Sequence, residues 1–232
     1  MLIPVVILCG GDGLRFTEAN ESDSKVMALI GDRPILWHIM KHYSKYDVNR
    51  FILCVKDSDT IIQAYFAKNS PADWNIEVVK TGDDTPTAGR ILKIKDWIES
   101  PHFFVTYGDG LADVNIKKLL AHHIKQNLSA TLTAIHPNSQ YGFVKLDAEE
   151  KVKEFVEKPM IKEWVNGGYF VFKKSIFDTL IIKELLETDV LPRLAKEGQL
   201  TAYKHNGFWK SMDTRKEHVE LNELHKSGRW PI

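Results

Sequence analysis

Val5-Val6-Ile7-Leu8-Cys9-Gly10-Gly11-Asp12-Gly13-Leu14-Arg15 is the stretch that decides how the chain is read. An unbroken apolar run stops at three glycines within four positions, and an arginine follows. A run apolar at every position is what a strand buried on both faces needs. A glycine-rich loop after such a strand lets backbone N–H groups close on phosphate oxygens. A Cβ would hold the backbone away and forbid positive φ. The spacing Gly11-x-Gly13 begins a dinucleotide fingerprint, but its third glycine would fall at Phe16, and no Gly-Lys-Ser/Thr follows to make a P-loop. What remains is a loop offering one planar cation, Arg15, and then one point cation, Lys25. That pair suits a nucleoside triphosphate. A tight turn with a solvated arginine is the other reading, and on these residues alone the two weigh equally.

Beyond the loop, strand and helix patterns alternate. Asp32-Arg33-Pro34 reads as a helix start, with Ile35, Leu36, Ile39, Met40 and Tyr43 on one face. Strands are expected at 51–55, 75–80 and 102–106. Helices are expected after Ser58 or Asp59 and over 88–100. The alternation implies an α/β fold with a doubly wound, mostly parallel, Rossmann-like sheet, whose ligands bind beyond the carboxyl ends of the strands. The second half is less regular. A helix through Ile116 and Ile124 leads to a strand at 130–135. Two short strands surround Asp147-Ala148-Glu149-Glu150, and a strand at 165–172 is interrupted by Gly167-Gly168. The stretch 175–196 reads as helix broken by Pro192. A last strand at 200–204 precedes a closing helix at 214–226. This half reads as a small β insertion on the acceptor side of the sheet. No linker composition divides the chain, so residues 1–232 are read as one domain.

The bulk composition excludes several classes. Lysine plus arginine and aspartate plus glutamate are 31 each, so the net charge is zero and no basic field argues for nucleic acid. No apolar stretch is long enough to span a bilayer, and the opening residues lack the basic flank of a signal peptide. Cys9 and Cys54 each lie inside an apolar run and read as reduced core residues, which suits a cytoplasmic protein.

Asp109, between Gly108 and Gly110 at a strand end, has little structural work to do there and reads as a metal ligand. Asp213 alone reads as the N-cap of the closing helix. Lys158 in Glu157-Lys158-Pro159 reads on its own as part of a surface charge pair. Asn166-Gly167-Gly168 is either a β-bulge or a close approach of backbone to a ligand, with Asn166 able to donate and accept.

Leu8-Cys9-Gly10-Gly11-Asp12-Gly13-Leu14-Arg15 resembles the signature loop of the sugar-phosphate nucleotidylyltransferases. The likeness to one branch, the glucose-1-phosphate cytidylyltransferases, runs along nearly the whole chain. It takes in residues 33–41, Thr106-Tyr107-Gly108-Asp109-Gly110, residues 130–134, Glu157-Lys158-Pro159, Asn166-Gly167-Gly168 and Gly207-Phe208-Trp209 with Met212-Asp213-Thr214. The resemblance implies a nucleotide site at Leu8, Gly10, Gly11, Gly13, Thr85, Arg90 and Gly108, and an acceptor site at Gly142, Glu157, Lys158 and Asn166. It implies Mg²⁺ on Asp109 and Asp213, and catalytic charges at Arg15, Lys25, Asp109 and Lys158. The implied reaction is transfer of CMP from CTP to a small phosphorylated acceptor, foremost α-D-glucose 1-phosphate, with release of pyrophosphate. Partners are then CTP and that acceptor, with no nucleic acid and no membrane; a homo-oligomer is left open. The sequence departs from the family at Leu14, Val26 and Gln140-Tyr141-Gly142, and in a short segment between Phe66 and Trp74. Those departures keep two alternatives open. One is the same chemistry on a non-sugar phosphate such as L-glutamine phosphate, in capsule phosphoramidate synthesis. The other is a nucleotide-binding module without turnover.

Overall fold

A computed structural model describes residues 2–11 and 24–232. Strand β1 covers Val5–Leu8, and a 3-10 turn at Lys25–Met27 precedes a short ribbon of β2 (Leu29–Ile30) and β3 (Arg33–Pro34). Helix α1 (Ile35–Ser44) leads to β4 (Arg50–Val55), α2 (Ile61–Asn69) to β5 (Asn75–Lys80), and α3 (Thr87–Lys93) to β6 (His102–Tyr107). Strand β7 (Gly110–Ala112) and α4 (Ile116–Gln126) are followed by β8 (Ala130–Ile135), β9 (Phe143–Leu146), β10 (Val152–Val156) and β11 (Val165–Lys173). The chain closes through α5 (Leu191–Lys196), β12 (Leu200–Lys204), β13 (Trp209–Ser211) and α6 (Arg215–Lys226).

Seven strands form one sheet in the order β12-β8-β11-β6-β1-β4-β5. Pairing is parallel except along β11, which runs against both β6 and β8. The alternation of side chains along each strand makes two cores. Val5 and Ile7 of β1 join Phe51, Leu53, Val55 and Phe104 on one face, where α1, α2, α4 and α6 pack. Val6 and Leu8 join Ile52, Cys54, Phe103 and Val105 on the other, under α3 and α5. Val5, Val6 and Ile7 are fully buried, and each such side chain contributes roughly 1.5–3 kcal/mol over an exposed one. The doubly wound sheet expected from the alternation is therefore present. Cys9 and Cys54 are buried and unpaired; burial pushes the Cys54 thiol up to about 12.

The order of the strands fixes where a ligand can sit. From β1 the chain steps outward to β4 and β5, then returns to the other side of β1 as β6. The loops after β1 and β6 leave in opposite directions, and the crevice between them is the topological switch point of such sheets.

Three expectations are corrected. The second half is not itself an insertion, since β8, β11 and β12 extend the main sheet; the β9–β10 ribbon within it stands apart from that sheet, as does β13, which pairs with β7. Pro192 does not break a long helix; a π-helical turn at Leu186–Val190 runs directly into α5, and Pro192 sits just past that junction, in the first turn of α5. Asp32 does not cap α1, because Gly31 (φ +64°) and Asp32 turn the β2–β3 ribbon and Pro34 occupies the cap position. On the β9–β10 ribbon, Phe143, Val144, Leu146, Val152, Phe155 and Val156 are all exposed. No helix among the described residues is long and apolar enough to cross a membrane.

Candidate active site

A cleft of about 660 Å³ opens at the switch point, with Leu8, Gly10 and Gly11 from the end of β1 and Tyr107, Gly108 and Asp109 from the end of β6. The two strand ends are tied by Gly108 N–H donating to Leu8 O at 3.1 Å. A Cβ on Gly108 would lie 2.6 Å from Val26 Cγ1, so glycine lets the 3-10 turn seat its buried Val26 there. That seat holds the preceding residue, Lys25, over Asp109.

Asp213 arrives by a different route. Strands β7 and β13 pair antiparallel with Gly110 opposite Ser211. The residue just before one strand and those just after the other therefore leave the ribbon at the same end. Met212 N–H donates to Asp109 O at 2.9 Å, and Asp213 follows. The N-cap of α6 is Thr214 and not Asp213. Its hydroxyl accepts from Glu217 N–H while the Glu217 carboxylate accepts from Thr214 N–H, a reciprocal capping box. Thr214 satisfies the helix end, and the Asp213 side chain is turned to the cleft. Lys25 Nζ donates to Asp109 Oδ2 and to Asp213 Oδ1, each at 2.6 Å. Burial works to lower the Lys25 pKa, but Asp109 and Asp213 prevail and hold it above its ordinary value.

The far wall comes from β11. Its register against β8 shifts between Asn166 and Phe170, so the expected bulge and the expected cleft wall are one feature. Asn166 Oδ1 accepts from Gly168 N–H at 2.9 Å, Gly168 has φ +78°, and Trp209 Nε1 donates to Gly167 O at 2.7 Å. Tyr107 lines the same space. Its hydroxyl donates to Glu187, whose carboxylate also takes the Thr87 hydroxyl at 2.9 Å; burial and Glu187 push the phenol well up.

Arg90 is 4 % exposed, and its guanidinium donates to Thr81 Oγ1 (2.7 Å), Asp83 O (3.0 Å), Gly10 O (3.1 Å) and Val55 O (3.2 Å). It lines the cleft as a strut binding the glycine loop to the loop after β5. Thr85 lines the cleft from that second loop, and its hydroxyl accepts from Lys93 Nζ at 3.2 Å.

Lys158 lies elsewhere. It lines a second cleft of about 960 Å³, bounded also by Ser139, Gln140, Tyr141 and Lys216, which meets the first at Trp209, Ser211 and Asp213. Gly142 and Glu157 line neither cleft. They meet at the base of the ribbon, where a Cβ on Gly142 would come 2.9 Å from Glu157 Oε2. Gly13 and Arg15 lie outside the described residues. Sequence reading gave no role to Tyr107, Glu187, Trp209 or Lys216. Trp209 was legible as part of Gly207-Phe208-Trp209, whereas nothing local marks Glu187 as a partner of Tyr107, 80 residues away.

A crevice at the switch point of an α/β sheet, a glycine loop on one side and a lysine held by two carboxylates, is laid out for phosphate chemistry. The family model for nucleotidyl transferases matches residues 4–225. The chain belongs to the nucleotidyl transferase family. The resemblance read from the glycine loop is thereby borne out. Among its curated relatives this nucleotidyl transferase is 39% identical to the probable glucose-1-phosphate cytidylyltransferase of Bacillus subtilis, over 98% of each chain. It is 36% identical to the glucose-1-phosphate cytidylyltransferase of Salmonella typhi, over 97% of each. Among solved structures it superposes on HddC from Yersinia pseudotuberculosis with a TM-score of 0.79 at 22% identity, covering 97% of this chain and 100% of that one. The fold of this nucleotidyl transferase is thus found in a solved protein of low sequence identity.

Proposed function

We propose that the chain transfers CMP from CTP to a phosphorylated acceptor, α-D-glucose 1-phosphate before others, releasing pyrophosphate and forming CDP-glucose. The convergence of Lys25, Asp109 and Asp213 at the switch point carries this reading. The full-length relatives named glucose-1-phosphate cytidylyltransferases supply the nucleotide and the acceptor.

An acceptor phosphate oxygen is already anionic and needs no strong general base. It attacks the α-phosphorus of CTP, forming the new P–O bond as the bond to the β-phosphate oxygen breaks. The electron pair leaves with pyrophosphate. The work of the chain is positioning and charge neutralisation. Gly10 and Gly11 present the backbone to the triphosphate, and Lys25 holds charge at the α-phosphate. Lys158 takes the acceptor's phosphate, and Asn166 meets its hydroxyls. Arg15 is assigned to the leaving pyrophosphate. Arg90 and Thr85 act from the nucleotide wall, Arg90 by fixing the Gly10 carbonyl.

The donor set fits a divalent cation of the Mg²⁺ type. Two carboxylate oxygens already converge on one positive charge, and Mg²⁺ takes one or two protein carboxylates and completes its shell with water and substrate phosphate. Asp109 and Asp213 would hold it, and it would supply neutralisation of phosphate charge. The two buried cysteines support a reducing, cytoplasmic setting.

Pyrophosphate release is measured with Mg²⁺ for CTP, UTP, dTTP and ATP against glucose 1-phosphate, other sugar 1-phosphates and phosphorylated amino acids. Turnover with CTP and glucose 1-phosphate is expected. Turnover with CTP and only a non-sugar phosphate would move the acceptor. Silence with CTP still bound would reduce the protein to a binding module.

A further inference from the structure

Glu157-Lys158-Pro159 carries an unusual backbone. Lys158 has φ +49°, a left-handed conformation that residues other than glycine adopt only at a cost. The turn aims Lys158 into the second cleft, where its side chain touches that of Lys216. Contact with the Lys216 ammonium holds the Lys158 pKa below its ordinary value. Lys216 is itself placed against local preference. It lies in the first turn of α6, where the helix dipole favours acids and disfavours cations.

The neighbouring acids are committed to other groups. Glu217 closes the capping box with Thr214, and Glu220 accepts from Lys210. Glu157 sits behind Gly142. Glu157 and Glu220 still act on Lys158, but they raise its pKa by less than Lys216 lowers it. A left-handed lysine, a cation at a helix N-terminus and two adjoining ammonium groups are three separate costs, and a dianion between the lysines offsets the two electrostatic ones. A phosphate monoester near neutral pH carries close to two negative charges and three acceptor oxygens. The cleft holding the lysines meets the catalytic cleft at Asp213, on the side away from the glycine loop.

We propose that Lys216 is a second anchor for the acceptor, pairing with Lys158 to clamp the dianionic phosphate of the attacking substrate at the mouth of the Asp213 side of the cleft. The proposal rests on the transferase reading and sharpens it, because a clamp of two cations selects a phosphate monoester over a diester or an uncharged acceptor. Lys158 is the half already expected, and Lys216 is the new one.

Steady-state kinetics of pyrophosphate release with CTP and glucose 1-phosphate tests it, on the wild type, K158A, K216A and K216R, with thermal melts to confirm folding. K216A should raise the KM for glucose 1-phosphate roughly tenfold to a hundredfold, as loss of one charge-assisted contact does, and leave the KM for CTP within about twofold. K216R should recover most of the loss. Inorganic phosphate should compete with the acceptor in the wild type and weaken as an inhibitor in K216A. A K216A acceptor KM within twofold of a turning-over wild type, with K158A raised, overturns the Lys216 assignment and leaves the transferase reading intact. A wild type that turns over no phosphorylated acceptor overturns both.

Discussion

Lys25 Nζ lies 2.6 Å from Asp213 Oδ1, a contact between residues 188 apart in the chain that spans the mouth of the cleft. The same ammonium lies 2.6 Å from Asp109 Oδ2, so one lysine neutralises two carboxylates. Removing it leaves two negative charges facing each other. K25A should therefore lose about 1–2 kcal/mol of stability, the smaller end of the range for paired charges because Asp213 is 44% exposed and screened. Turnover should fall by around 10²–10³. A thermal melt beside a pyrophosphate assay checks both, and a K25A protein as active as the wild type would remove Lys25 from the chemistry.

The same geometry gives a cation signature that needs no turnover. In the wild type a divalent cation at the proposed site would have to compete with Lys25 for Asp109 and Asp213; in K25A it would not. Titrating Mg²⁺ into K25A without substrate should raise its melting temperature more than that of the wild type, because binding to the folded state alone stabilises it. D109N and D213N should lose this response together with turnover. Chelation should abolish wild-type pyrophosphate release, and added Mg²⁺ should restore it. An equal Mg²⁺ response in D213N would take Asp213 out of the cation site.

Gly10 and Gly11 are neighbours with opposite expectations. A Cβ on Gly10 would lie 2.2 Å from Arg90 Cζ, and Arg90 cannot swing away from its carbonyl and hydroxyl partners. G10A should cost roughly 1–3 kcal/mol through overpacking. A Cβ on Gly11 meets nothing within 4 Å, so G11A should fold within about 0.5 kcal/mol of the wild type. The methyl group of G11A stands in the space assigned to the nucleotide, so its KM for CTP should rise. Denaturant melts and CTP saturation curves separate the two effects.

Much of this was legible in the sequence because the signals are local. Val5 to Leu8 had to be a strand buried on both faces, and the glycines after it had to border a site. Asp109 was readable as a cleft carboxylate because two glycines flank it. Asp213 was not, since an aspartate ahead of a helix has an adequate structural use as a cap. Only the capping box at Thr214 and the β7–β13 register show that its side chain is spent elsewhere. Arg90 lines the cleft, as a nucleotide-wall residue must, but its backbone and hydroxyl acceptors come from three separate segments, the glycine loop, the end of β4 and the loop after β5, which no spacing in the chain could reveal. Lys158 and Lys216 likewise meet only because the fold brings a strained turn against a helix end.

His123 gives a pH dependence independent of the active site. It is fully buried between the Thr131 hydroxyl, 2.8 Å from Nδ1, and the His102 ring, 3.2 Å from Nε2. Burial first, then His102 and Lys173, push its pKa down to about 4 from an ordinary 6.5. The folded protein thus keeps His123 neutral at pH values where the unfolded chain has protonated it. The stability this neutrality contributes is fully present above about pH 6.5. It is lost as pH falls towards 4, and below that the unfolded chain holds no further excess of protons at this site. The loss amounts to about 3 kcal/mol over that interval. His102 is shifted in the same direction, by burial and then by Lys173. Urea melts at pH 7.5, 6, 5 and 4 should show wild-type stability falling across the interval and H123Q falling less steeply. Parallel slopes for the two proteins would mean that His123 takes its proton in the folded state as readily as in the unfolded one.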